Sequence, residues 1–147
     1  MIDFPSAVLF ACTMNSVRSA IAEGLLKNLL GKAVYVDSAG VRPGSIDGFA
    51  VEVMNEIGID ISRHKAKTFD HLEDRSFDVI ISLSIEAQHK ATEISRVLAC
   101  DAVFWKTFDP TIIEGNREIR LGAYRQVRDQ LFIKIKKSLV SGVLTED

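Results

Sequence analysis

Apolar positions along this chain fall into two alternating patterns. The run from Ala7 to Ala11 carries no polar alternation, as expected of a strand covered on both faces, and further apolar runs recur at Ala33 to Val36, Phe77 to Leu83 and Ala102 to Trp105. Between them apolar residues return at helical spacing. Ile21, Ala22, Leu25, Leu26, Leu29 and Leu30 form the first such stripe, with Gly31 where a C-terminal cap would sit. Asp47 can cap a second helix whose apolar side is Ala50, Val51, Val53, Met54 and Ile57 and which stops at Gly58. His64 to Thr68 reads as exposed loop and Asp70 to Arg75 as a short helix. A further helix is predicted from about Glu86 to Leu98, and a last one from about Asn116 to Leu139 with Tyr124, Val127, Leu131, Ile135 and Leu139 along one stripe. Met1 to Pro5 reads as a lead-in. Strands alternating with helices predict an α/β fold: one three-layer domain over residues 1–147, with a four-stranded parallel sheet flanked by helices and right-handed crossovers.

Composition narrows the function classes. The 147 residues suit one domain with a real core, and a net charge of −2 offers nothing basic for nucleic acid or an anionic membrane surface. No apolar run approaches the roughly 20 residues needed to span a bilayer, and no N-terminal stretch pairs a basic region with an apolar core. A cytoplasmic protein is expected. Two cysteines far apart make no disulfide framework, which fits a reducing compartment.

The chemistry concentrates where the first strand breaks. Cys12-Thr13-Met14-Asn15-Ser16-Val17-Arg18-Ser19 joins a strand end to a helix start, where free backbone N–H groups and the helix dipole favour an anion. A thiol attacks well only as thiolate, a form favoured by such N–H groups, a hydroxyl like that of Ser19 and a nearby guanidinium. The planar fork of Arg18 can grip two oxygens of a tetrahedral oxyanion, which lysine cannot. In a parallel sheet, ligands bind beyond the carboxyl ends of the strands where strand order reverses. Cys12, Ser38 and the loop after Trp105 all follow strand ends, so Asp109 is expected beside Cys12 as an acid. Pro110 biases Asp109 towards an extended backbone and helps aim its carboxyl group.

This loop, followed by Ala22-Glu23-Gly24, resembles the phosphate-binding loop of the low-molecular-weight protein tyrosine phosphatase superfamily, which includes thioredoxin-coupled arsenate reductases. Asp37-Ser38-Ala39-Gly40, Gly58-Ile59-Asp60-Ile61-Ser62 and Phe108-Asp109-Pro110 extend the resemblance in order over nearly the whole chain. It implies a metal-free, cofactor-free hydrolase with Cys12 as nucleophile, Arg18 and the N–H groups of Thr13, Met14, Asn15, Ser16, Val17, Arg18 and Ser19 as phosphate cradle, and Asp109 as general acid and base. It also implies that Asn15, Ser19 and Ser38 brace the loop. The substrate would be a phosphorylated protein or a small phosphomonoester. The alternative is arsenate reduction, favoured by the wording Cys-Thr-x-Asn-Ser-x-Arg-Ser and by Val127-Arg128-Asp129. The thioredoxin-coupled enzymes carry two further redox cysteines after the third strand, whereas Ser82 to Ser95 holds none, so reduction here would need an external thiol such as glutathione or mycothiol. A non-catalytic oxyanion-binding regulator is the third class, and retention of Cys12, Arg18 and Asp109 together argues against it.

Four departures from the family pattern stand out. Thr111-Ile112-Ile113 replaces paired tyrosines, and the loop after Gly40 lacks an aromatic wall. Met14 stands where glycine is usual, which would strain a left-handed backbone, and Val17 stands where a second cysteine is common. His64, His71 and His89 share no metal-ligand spacing and read as surface or structural residues. Trp105 and Phe108 read as core and loop-packing groups. Cys100 lies at the start of the fourth strand, at the edge opposite the loop, too far for a disulfide that needs Cα atoms within about 7 Å.

Overall fold

β1 (Ala7–Cys12) is the strand to which the others are referred. In the computed structural model, which describes residues 5–73 and 76–140, it pairs in parallel with β2 (Tyr35–Gly40) on one side and β3 (Val79–Ser82) on the other. β4 (Asp101–Phe104) completes a four-stranded parallel sheet of order β2-β1-β3-β4. The chain therefore moves outward from β1 in one direction to β2 and then returns past it to β3. Cys12, the last residue of β1, opens into the crevice created by that reversal.

Side chains of β1 alternate between two cores, as strand geometry requires. Val8, Phe10 and Cys12 join the cluster under α1 (Arg18–Leu30), α2 (Gly48–Asn55) and α4 (Arg117–Ile135), with Trp105 among its buried members. Leu9 and Ala11 join Phe69, Phe77 and Ile80 under α3 (Ile85–Val97), whose Ala87 and Ala91 are fully buried. The predicted three layers and single domain are the observed ones. Asp47 caps α2, its carboxylate accepting from the N–H groups of Phe49 and Ala50, and it also accepts the Tyr124 hydroxyl proton at 3.0 Å, which ties α2 to α4.

Several expected boundaries shift for identifiable reasons. The second strand is not Ala33 to Val36: Gly31–Ala33 is a 3-10 turn, and pairing runs on through Asp37 and Ser38, opposite Leu9 and Phe10, to Gly40 opposite Cys12. Polar residues continue this strand because Ser38, although fully buried, has hydrogen-bond partners. The third strand loses Phe77 and Asp78, and Asp78 instead turns its carboxylate onto the N–H groups of Ser6 and Ala7. Ser84 caps α3 through the Ala87 N–H, so this helix starts at Ile85. α4 ends at Ile135 and widens into a π-helical turn, Lys136–Val140, that keeps Leu139 in the core. The predicted short helix is a 3-10 turn at Phe69–His71, and its last two expected residues, 74 and 75, lie outside the described ones, as do 1–4 of the lead-in. No helix of the described residues is long and apolar enough to cross a membrane.

Candidate active site

Between Cys12 and Arg18 the chain turns so that its carbonyls find donors on the outside. Val41 N–H donates to Cys12 O and Thr13 O, Arg42 N–H to Thr13 O, Ser16 Oγ to Met14 O, Asp47 N–H to Ser16 O and Ile21 N–H to Val17 O, and the His64 ring reaches Asn15 O. In a trans peptide each N–H points opposite the preceding carbonyl, and no cis bond occurs among the described residues. Six outward carbonyls thus turn the N–H groups of Thr13 to Arg18 inward, around the Cys12 thiol, and Ser19 N–H adds another at the first turn of α1. Within the described residues none of these N–H groups has a protein partner. The turn is a ready-made cradle for the oxygens of a tetrahedral anion.

Two glycines let the neighbouring segment approach this closely. A Cβ on Gly40 would stand 2.7 Å from Asn15 N and Met14 C, and one on Gly44 would stand 2.7 Å from Met14 O and Ser16 Oγ. The strained residue is not Met14, as expected from its place in the loop, but Asn15, the one non-glycine residue with positive φ (57°) among those described. Asparagine tolerates that conformation, and here its side chain is also fully bonded.

The Asn15 amide organises a directional network. Its Oδ1 accepts from Lys67 N–H at 3.1 Å, which fixes the amide orientation and aims Nδ2 at Ser19 Oγ (2.7 Å) and Ser38 Oγ (2.8 Å). Ser38 passes its proton on to the Glu23 carboxylate, which also pairs with Lys27. Ser19 Oγ, which accepts from Asn15, lies 2.9 Å from Cys12 Sγ, to which it can give its hydroxyl proton when the sulfur is ionised. The His64 Nε2 faces both Asn15 O (3.3 Å) and Oδ1 (3.1 Å), atoms that can only accept, so that nitrogen carries a proton. Burial holds the His64 imidazole below its ordinary pKa, although the Glu23 carboxylate beside it works in the opposite sense. The net effect is a chain of hydrogen bonds from Lys67 N–H through the Asn15 and Ser19 side chains that ends at the Cys12 sulfur.

Arg18 opens α1 and extends across the sheet edge. Its Nη1 donates to Thr107 O (3.1 Å) and Leu83 O (3.4 Å), and Nη2 stands 3.9 Å from Asp109 Oδ2. Asp109 has the extended backbone expected before a proline, and its Oδ1 accepts from Thr111 N–H and Thr111 Oγ1, leaving Oδ2 for the cavity. The cavity encloses about 210 Å³ and is lined by Cys12, the loop, Arg42, Glu86, Asp109 and Thr111. Arg42 and Glu86 pair at 3.1 Å on its lining, each carried by an element bonded to the loop, Arg42 through its own N–H and Glu86 through α3, whose cap Ser84 accepts from Thr13 Oγ1. A larger concavity of about 690 Å³ lies around Glu23, Asp37, His64 and Lys67, and no cysteine lines it.

Cys12, Arg18 and Asp109 therefore meet at one sheet edge, with Asn15, Ser19 and Ser38 bonded behind them. Cys100 is a free thiol just before β4, at the other end of the sheet, and burial pushes its pKa up. Two contributors escaped sequence reasoning. Glu23 was visible as a carboxylate on the apolar stripe of α1, where it is 9% exposed. His64 falls in a segment that reads as exposed loop, yet its side chain is buried against the Cys12–Arg18 turn, and nearby Thr68 bridges to Gly40. Trp105 is core as expected, whereas Phe108 is 45% exposed. Among the described residues no cluster of His, Cys, Asp and Glu has metal-binding geometry.

Residues 7–139 match the sequence model of a family described as low molecular weight phosphotyrosine protein phosphatase. A protein named arsenate reductase from Halalkalibacterium halodurans is 35% identical over 137 residues, 92% of this chain and 96% of the relative. The solved structure of an arsenate reductase in the oxidised state superimposes with a TM-score of 0.77 at 26% identity, over 94% of this chain and 98% of that one. An arsenate reductase in the phosphate-binding state gives 0.74 at 25% identity, over 93% and 98%.

Proposed function

The chain belongs to the low molecular weight phosphotyrosine protein phosphatase family, and from that membership we propose that it hydrolyses phosphomonoesters through a cysteinyl-phosphate intermediate. The observation that carries this reading is the convergence of Cys12 Sγ, the inward N–H groups, Arg18 and Asp109 on one cavity. A phosphate monoester enters with its non-bridging oxygens on the N–H groups of Thr13 to Ser19, and Arg18 swings its fork onto two of them. The Cys12 thiolate attacks phosphorus in line with the leaving oxygen, forming the S–P bond as the P–O bond breaks. Asp109, in its protonated form, gives that oxygen its proton. Asp109, now a carboxylate, takes a proton from a water that attacks phosphorus. The S–P bond breaks, and inorganic phosphate and the Cys12 thiolate are released. Asn15, Ser19 and Ser38 hold the loop and the thiolate throughout.

A second reading has its own support in the relatives named arsenate reductase. The same cradle would hold arsenate while Cys12 displaces one of its oxygens. Two electrons are then needed to bring As(V) to As(III). The chain's other thiol, Cys100, is remote, so an external thiol such as glutathione or mycothiol must attack Cys12 sulfur; the S–As bond breaks with its electron pair on arsenic, arsenite leaves, and the mixed disulfide that remains is reduced by a second external thiol. The purified protein assayed with p-nitrophenyl phosphate, and separately with arsenate plus thioredoxin, glutathione or mycothiol systems, separates the two. Phosphate release that needs no reductant is expected. Arsenate-dependent consumption of reductant with negligible phosphate release would replace the first reading by the second.

A further inference from the structure

One turn of chain forms the wall of two neighbouring depressions. From Phe108 to Ile113 it carries Asp109 and Thr111 into the cavity over Cys12, while Phe108 and Ile113 border a separate groove against α4. That groove, about 620 Å³, is completed by Ile119, Gly122, Ala123, Gln126, Val127 and Gln130, and no charged side chain lines it. Its rim stays uncovered: Phe108 is 45% exposed and Ile119 56%, and next to them Ile112 is 65% exposed. Large apolar side chains left this open, rimming one depression, are characteristic of a contact surface.

Resting on the phosphatase reading above, we propose that this groove is a docking subsite for substrate, and that the substrate is a phosphorylated polypeptide with a large apolar residue close to the phosphorylated one. Three observations favour that occupant. The cavity over Cys12 is small enough that only the phosphoryl group and the side chain bearing it fit inside, so the remainder of any substrate must lie on the rim. The groove adjoins the reacting site across a single short turn, whose Asp109 and Thr111 line one depression and whose Phe108 and Ile113 line the other, so a chain held on Cys12 has the groove as its next surface. Its lining carries no charge and is apolar apart from Gln126 and Gln130, which suits a leucine or phenylalanine side chain better than the polar surface of a phosphorylated metabolite. The aromatic wall that the catalytic cavity lacks is thereby supplemented by an apolar hold one turn away.

The test uses phosphotyrosyl peptides that differ only in having leucine or serine at each position from four before to four after the phosphorylated residue. Leucine at one or two positions should raise kcat/KM by about tenfold, the order expected for part-burial of one such side chain. Gly122→Leu fills the groove without endangering α4, because a Cβ at Gly122 meets nothing within 4 Å and leucine is the better helix former. Gly122→Leu and Ile119→Ser should each abolish the leucine preference while leaving p-nitrophenyl phosphate turnover and Tm unchanged or, for Gly122→Leu, Tm higher. Equal kcat/KM for all peptides, or a leucine preference that survives both variants, overturns the proposal. So does a concentration-dependent dimer that Gly122→Leu dissociates, which would make a second copy the occupant. Dependence of reductant-coupled arsenate turnover on the same variants would make a reductant protein the occupant. If the wild type fails to hydrolyse p-nitrophenyl phosphate, the phosphatase reading falls, and binding of a non-hydrolysable phosphonate peptide, followed by NMR shifts at Gly122 and Ile119, still decides the docking proposal by the same leucine-against-serine comparison.

Discussion

Replacing Gly40 with alanine adds one methyl group and should disable the enzyme. The new Cβ would lie 2.7 Å from Asn15 N and from Met14 C, and 3.0 Å from Met14 Cα. Ordinary carbon contacts begin near ~3.5 Å, so the nearest atoms must give way by about 0.8 Å. Those atoms are backbone, with no rotamer to change. Asn15 is moreover pinned by bonds to Ser19, Ser38, His64 and Lys67, so the shift cannot be absorbed behind the loop. It must be taken by the phosphate cradle or by the end of β2. Overpacking of this kind costs about 1–3 kcal/mol, and displacement of a reacting group by ~1 Å costs on the order of a hundredfold in rate. Stability corresponds to a Tm lower by about 2–4 °C per kcal/mol for a chain of this size. Gly40→Ala should therefore fold, melt several degrees lower, and hydrolyse p-nitrophenyl phosphate about a hundredfold more slowly with weakened inhibition by inorganic phosphate. Steady-state kinetics and thermal melts on the same preparation give all three quantities. Wild-type kcat/KM together with wild-type Tm would refute the close approach of β2 to the loop and the argument built on it.

Cys12→Ser should lose turnover yet still bind phosphate or vanadate, since the N–H cradle and Arg18 survive; undiminished turnover would remove Cys12 from the mechanism. Asp109→Asn should slow esters with poor leaving groups most and those whose leaving group needs no proton least, and an equal loss across a leaving-group series would deny Asp109 the acid role. Because burial lowers the His64 pKa, the unfolded chain binds its proton at higher pH than the folded one, so this residue contributes a loss of stability as pH falls below about 6.5. His64→Gln should flatten the fall in Tm between neutral and mildly acid pH, and parallel curves for the two proteins would contradict the assignment. Met14→Gly relieves no strain, because the positive φ belongs to Asn15, and should cost about 0.4–1 kcal/mol through a freer unfolded chain, whereas a rise in Tm would return the strain to Met14.

What could be read from the chain alone was what is local or follows a topological rule. The strand–loop–helix around Cys12 is contained in about twenty consecutive residues, and Asp109 follows from the rule that parallel strands present their carboxyl ends to one edge. Strand β2 was misplaced because a buried serine and an aspartate break the apolar pattern, and only the tertiary partners of Ser38 make them acceptable there. The burial of His64 was illegible for the same reason: its ring is held by Asn15, 49 positions earlier, and nothing in the residues around it signals that contact. Gly40 reads in the sequence only as the end of the Asp37-Ser38-Ala39-Gly40 match, while its reason for being glycine, like that of Gly44, lies in the loop it presses against.

The outward tethering of the loop carbonyls has a consequence for how the protein comes into being. The Cys12–Arg18 turn is synthesised early, but the groups that shape it arrive over the next hundred positions: Val41, Arg42 and Asp47 on its carbonyls, His64 and Lys67 on Asn15, and last Thr107, whose carbonyl steadies the Arg18 guanidinium. A growing or clipped chain that stops short of β4 holds the nucleophile and the guanidinium in sequence without the anion site in space. The hydrogen bonds that shape the turn are thus complete only once the chain has reached Thr107.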